Sequence, residues 1–104
     1  MVIAAYRPHP GKERELLDLM KEHLPILRSQ NLVSDRPSIV MRAADGTILE
    51  VFEWKSREAI AAAHTNPVVL AMWERFGKSC DYTPLASIQE AASLFAEFEP
   101  VDLS

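Results

Sequence analysis

Trp54-Lys55-Ser56-Arg57-Glu58-Ala59-Ile60-Ala61-Ala62-Ala63-His64-Thr65-Asn66-Pro67 carries a strand end, a capped helix, a polar joint and the start of a second helix. Ser56 is an N-cap residue, and Glu58 falls in the first turn, where the helix dipole favours a negative charge. The alanine-rich run extends the helix through 63. Asn66 followed by Pro67 is an N-cap and first-turn pair, because proline lacks only a donor that the first turn leaves unused. His64 stands at the joint. Few small folds need these parts in this order.

Upstream, residues 2–7 are apolar and partly β-branched, and they stop at Pro8-His9-Pro10-Gly11, which predicts a first strand and a rigid turn. From Lys12 the period becomes helical. Leu16, Met20, Leu24 and Leu27 recur on one side, while Glu13, Glu15, Asp18, Lys21 and Glu22 take the wet side. Pro25 predicts a kink or an early end, since it cannot donate to Lys21. The helix is expected to reach about residue 30.

After the exit Asp35-Arg36-Pro37, residues 38–42 predict a second strand, and Ala44-Asp45-Gly46-Thr47 supplies hairpin chemistry. Residues 48–54 predict a third strand, with Ile48, Glu50, Phe52 and Trp54 on one face and Leu49, Val51 and Glu53 on the other. Both faces carry large apolar groups, so something must cover the second one.

Downstream of Pro67, Val69, Met72, Trp73 and Phe76 form a buried helical stripe that Gly77 is expected to end. Residues 80–92 are less periodic, and Thr83-Pro84 could open a short helical turn over Leu85 and Ile88. Residues 93–100 alternate and predict a last strand, with 101–104 as a tail.

The chain has 104 residues, 48% of them apolar and 25% charged, which fits one globular domain, 1–104, and argues against disorder. A net charge of −4 with scattered arginines disfavours a nucleic-acid footprint. One cysteine, Cys80, excludes an internal disulfide, and no cluster has metal-site spacing. No segment approaches the roughly 20 apolar residues that span a bilayer. The opening apolar run is too short for a signal peptide, so a cytoplasmic protein is expected.

The element order is β-α-β-β-α-α-β, an α+β ferredoxin-like plait: an antiparallel sheet with helices on one face. The apolar second face predicts a homodimer, sheet against sheet about a two-fold axis. With strand-ending Trp54, the Ser56-capped Glu58-Ala59-Ile60 helix, Ala63-His64, Asn66-Pro67, and the Pro10-Gly11-Lys12-Glu13 entry, the chain resembles the antibiotic biosynthesis monooxygenase-like family. The resemblance covers residues 2–79 and implies a dimeric α+β barrel. It also implies a pocket for a small apolar or aromatic molecule, and in some members oxygenation without a cofactor. The haem-degrading branch would need a tryptophan near Ala63 and a histidine near Trp73. Neither is in place, and no cofactor is expected.

Each candidate site residue has a functional and a structural reading. His64 could be a base, since its pKa lies near neutral, or a hydrogen-bonded joint between helices. Trp54 and Trp73 could clamp a flat substrate or belong to the core. Phe52 and Met72 share the space between sheet and helices, as pocket wall or filler. Tyr6 and Tyr82 could hold a phenol oxygen or point to water. Arg42 could stabilise a developing anion or pair with an acid on the surface. His9 is expected to be exposed, His23 to be solvated on the polar side of its helix, and Cys80 to be chemically idle.

The functional expectation is a monooxygenase of a small aromatic or polyphenolic substrate, with His64 as base, Arg42 or Tyr82 as stabiliser, and Trp54 and Phe52 as walls. The rival is a homodimer that binds a metabolite, or serves in stress or regulation, without catalysis. An RNA-recognition module is disfavoured, because the third strand carries two acids and no glycine.

Overall fold

The structure, a computed structural model, describes residues 1–103; the last residue of the expected 101–104 tail lies outside them. Five strands form one antiparallel sheet: β1 (Val2–Pro8), β2 (Ile39–Arg42), β3 (Ile48–Phe52), β4 (Cys80–Thr83) and β5 (Glu99–Pro100), in spatial order β4-β1-β3-β2-β5. Three α-helices accompany it: α1 (Glu13–Ser29), α2 (Arg57–Ala63) and α3 (Pro67–Ser79). This is an α+β domain consistent with a ferredoxin-like arrangement, although the element order differs from the expected one.

The local signals act as physics requires. Ser56 accepts the backbone N–H of Ala59, and Asn66 accepts those of Val68 and Val69. Gly11 and Gly46 take the positive φ values, 76° and 93°, that their turns demand. Helix α1 continues through Pro25 to Ser29, held by the buried stripe Leu16, Met20, His23, Leu24 and Leu27. Helix α3 does not stop at Gly77. That glycine has an ordinary helical φ, and the helix ends two residues later, where Cys80 turns extended.

The largest correction concerns the last strand. The edge beside β1 is taken by Cys80–Thr83, and residues 93–98 form no strand. The free edge of β2 holds just Pro100 opposite Met41 and Glu99 opposite Arg42. The expected turn over Leu85 is a 3₁₀ turn, Leu85–Ser87, and a second spans Gln89–Ala92.

The main core lies between sheet and helices: Tyr6, Ile48 and Phe52 from the strands meet Leu16, Leu27, Val69, Met72 and Phe76. On the opposite face, the row Ala5–Leu49–Met41 is covered by the chain itself, through Ile88 and Phe98. The next row, Ile39–Val51–Ile3, stays uncovered, with Ile39 60% and Ile3 46% exposed. Strand alternation puts both rows on one face.

Candidate functional site

Between β1, β3, α2 and α3 lies a cavity of ≈ 370 Å³. That is within the usual range for small-molecule sites. Phe52, Trp54, Trp73 and Tyr82 supply aromatic walls, and Tyr6 and His23 line it from the buried side. His64 and Ile60 border it where it opens to solvent. None of the lining residues is a lysine, arginine, aspartate or glutamate. The site suits an uncharged, flat molecule.

The chemistry at its buried side comes from His23, expected to be solvated, together with Glu50 of β3 and Tyr6, itself a candidate for holding a phenol oxygen. Helix α1 carries His23 one heptad after Leu16, on the apolar stripe, so the ring is 4% exposed rather than solvated. Glu50 sits in the middle of β3, between Ala4 of β1 and Val40 of β2, and is fully buried. Its Oε1 accepts the Tyr6 hydroxyl at 2.8 Å and His23 Nδ1–H at 2.8 Å. With Glu50 as a carboxylate, this contact needs a proton on His23 Nδ1, and in the neutral ring the lone pair is then on Nε2. Glu50 Oε2 is buried without a hydrogen-bond partner.

The surroundings fix this group. His23 meets Phe52 edge-on at 5.3 Å and Phe76 at 5.3 Å. Tyr6 packs on Phe76 and Tyr82, with centroids 5.6 and 5.5 Å apart. Burial, then the charge and hydrogen bond of Glu50, hold the Tyr6 hydroxyl well above its ordinary pKa. Tyr82 is pushed up to about 12, chiefly by burial, so its phenol remains a proton donor at neutral pH.

The other expected site residues divide. His64 reaches the cavity but also joins helices: its Nδ1–H donates to the Ile60 carbonyl at 2.8 Å, and its ring lies 5.2 Å from Trp73. Trp54 lines the cavity 5.5 Å from Phe52. It stands beyond the end of β3, held by a bridge to Val33. Met72 is core filler, 1% exposed and outside the lining. Arg42 is the surface ion pair rather than a cavity group. Its guanidinium is held by Glu13 at 2.7 Å and Glu99 at 3.3 Å. Cys80 is buried, its thiol raised to about 11 by desolvation, which leaves little thiolate for nucleophilic work.

Among the described residues, no group of three His, Cys, Asp or Glu side chains could hold a metal ion, and no helix is long and apolar enough to cross a membrane. No protein-family model matches the chain, and neither a curated protein nor a solved structure matches it. The fold and cavity define a small α+β domain with an apolar site.

Proposed function

We propose that this protein is a cofactor-independent monooxygenase of a small, uncharged aromatic substrate, working as a homodimer of ferredoxin-like plaits packed sheet to sheet. The observation that carries the reading is the aromatic-walled cavity with imidazole nitrogen on its surface and no fixed charge in its lining. Such a site lays a flat molecule against apolar rings and offers it a proton acceptor. The resemblance of residues 54–67 to the monooxygenase-like family agrees with it.

In this reaction a histidine takes a proton from a phenol or an activated methylene, and the electron pair stays on the substrate. That anion passes one electron to dioxygen, and the two radicals join as a peroxide. At a methylene centre, loss of water then leaves a carbonyl. One oxygen atom ends in the product and one in water, and the substrate supplies the electrons. Tyr82, with its phenol kept protonated, can donate to the developing oxyanion, the stabilising role expected of Arg42 or Tyr82.

Oxygen uptake with a panel of anthrones, hydroquinones and polyhydroxylated aromatics tests the proposal. Saturable uptake is expected for at least one class. Saturable quenching of Trp54 and Trp73 fluorescence by the same compounds, with no uptake, would replace the enzyme with the non-catalytic binding protein.

A further inference from the structure

Resting on that reading, we propose that the catalytic base is His23 rather than His64, and that Glu50 and Tyr6 are its positioning residues. The geometry is that of a carboxylate-held imidazole. The Tyr6 hydroxyl and His23 Nδ1 both end on Glu50 Oε1, which fixes the ring's rotation and, with Glu50 as a carboxylate, calls for the proton on Nδ1. The Nε2 lone pair is thereby offered to the cavity that His23 lines. When a substrate O–H or C–H proton moves to Nε2, the bond between that proton and the substrate breaks and its electron pair remains on the substrate. Nδ1–H stays on Glu50, whose carboxylate stabilises the imidazolium that has formed.

His64 has the same tautomer but a weaker partner. Its Nδ1–H meets the neutral Ile60 carbonyl, and the residue is exposed, so water must do most of the work of stabilising its charged form. His23 is thus held by a carboxyl side chain at 2.8 Å, and His64 by a backbone carbonyl.

Folding alone does not explain the cluster. Glu50 is on the central strand of a thin core, where an apolar residue of similar volume would avoid desolvating a carboxylate. Its buried Oε2 without a partner adds to that cost. A buried carboxyl held directly behind two residues of an apolar cavity's wall, His23 and Tyr6, fits a site better than a scaffold.

The test uses 4-nitrophenol, in buffer at a pH where the free phenol is protonated, with binding followed by tryptophan fluorescence and ionisation by the nitrophenolate absorbance. The wild-type protein is expected to bind the probe and ionise it. His23→Gln is expected to bind it without the phenolate signal, whereas His64→Gln, altered at the cavity border, is expected to change the binding constant while the probe that does bind is still ionised. Glu50→Gln should bind the probe and ionise it less. With a turned-over substrate, His23→Gln should lower kcat by about 10²-fold or more while KM stays near its original value.

The wild-type protein gives a second reading that needs no variant. Histidine ¹⁵N shifts should report one imidazole, assigned to His23, gaining a proton at Nε2 as the probe binds. Ionisation that survives His23→Gln and vanishes in His64→Gln would overturn the inference and leave the oxygenase reading standing. Binding without ionisation in the wild type would overturn it as well. Failure of the wild-type protein to bind any aromatic probe would remove the cavity reading, and this inference with it.

Discussion

Glu50 is where one side chain has most at stake. Removing it by Glu50→Ala strands the Tyr6 hydroxyl and the His23 N–H in the core, two buried donors that each cost about 1–3 kcal/mol when unpaired. The loss in urea-measured stability should therefore be about 2–6 kcal/mol. The triple change Tyr6→Phe, His23→Leu, Glu50→Leu removes the whole polar set together. Replacing a buried ionic cluster by apolar groups is often neutral or stabilising, so the triple variant should unfold near the wild-type urea midpoint while losing all ionisation of bound nitrophenol. A triple variant as unstable as Glu50→Ala would mean that the cluster is structural. Both residues were partly legible. Glu50 was placed on the same strand face as Ile48 and Phe52, and a charged residue on the apolar face of a central strand is itself a signal. His23 follows Leu16 by one heptad, but the acidic neighbours Asp18 and Glu22 made its side of the helix look wet.

At the scale of elements, the starts of α2 and α3 were legible because their N-caps are local chemistry, whereas the end of α3, expected at Gly77, was not. Nor was the closing strand. Residues 93–100 alternate well, yet alternation cannot say whether a partner edge exists, and β2 offers an edge of only four residues. Cys80–Thr83 has little β-branched character and pairs because α3 delivers it beside β1. Its junction is tied by His9, whose Nε2 meets Asp81 at 3.0 Å and whose Nδ1 meets the Lys78 carbonyl at 3.2 Å. The Asp81 contact, and then the Lys78 carbonyl, raise the His9 pKa above 6.5. A raised folded-state pKa means that the charged tie is fully present below the unfolded value and is lost as pH rises through the folded one. The stability difference between wild type and Asp81→Asn should accordingly shrink as pH is raised from about 5.5 to about 8.5. Urea midpoints across that range check it, and a difference that grows with pH would reverse the assignment. Asp81 is well exposed, so the effect is a small one, screened by salt.

For the whole molecule, the unsettled surface is the outer sheet face. The chain covers one row of it with Ile88 and Phe98 and leaves the row Ile39–Val51–Ile3 open. Between those two covering residues it projects Leu94 and Phe95, 91% and 82% exposed. The proposed homodimer accounts for both features, since a two-fold axis over this face would let each copy's projecting pair cover its partner's open row. Burying a large apolar side chain contributes about 1.5–3 kcal/mol, and association costs about 4–15 kcal/mol before any net affinity appears. The margin is thin enough for one residue to matter. An isologous contact also counts each substitution twice. Ile39→Asp forfeits the burial and sets a charge in each open row, so at about 1.4 kcal/mol per tenfold the dissociation constant should weaken by about 100-fold or more. Phe95→Ser should act in the same direction. Sedimentation equilibrium across protein concentrations reads both, with dimer expected for the wild type and monomer for Ile39→Asp. A wild type that stays monomeric at every concentration would end the dimer proposal. The cavity would survive that result, because its named walls and the His23–Glu50–Tyr6 group all come from one chain, on the sheet's other face.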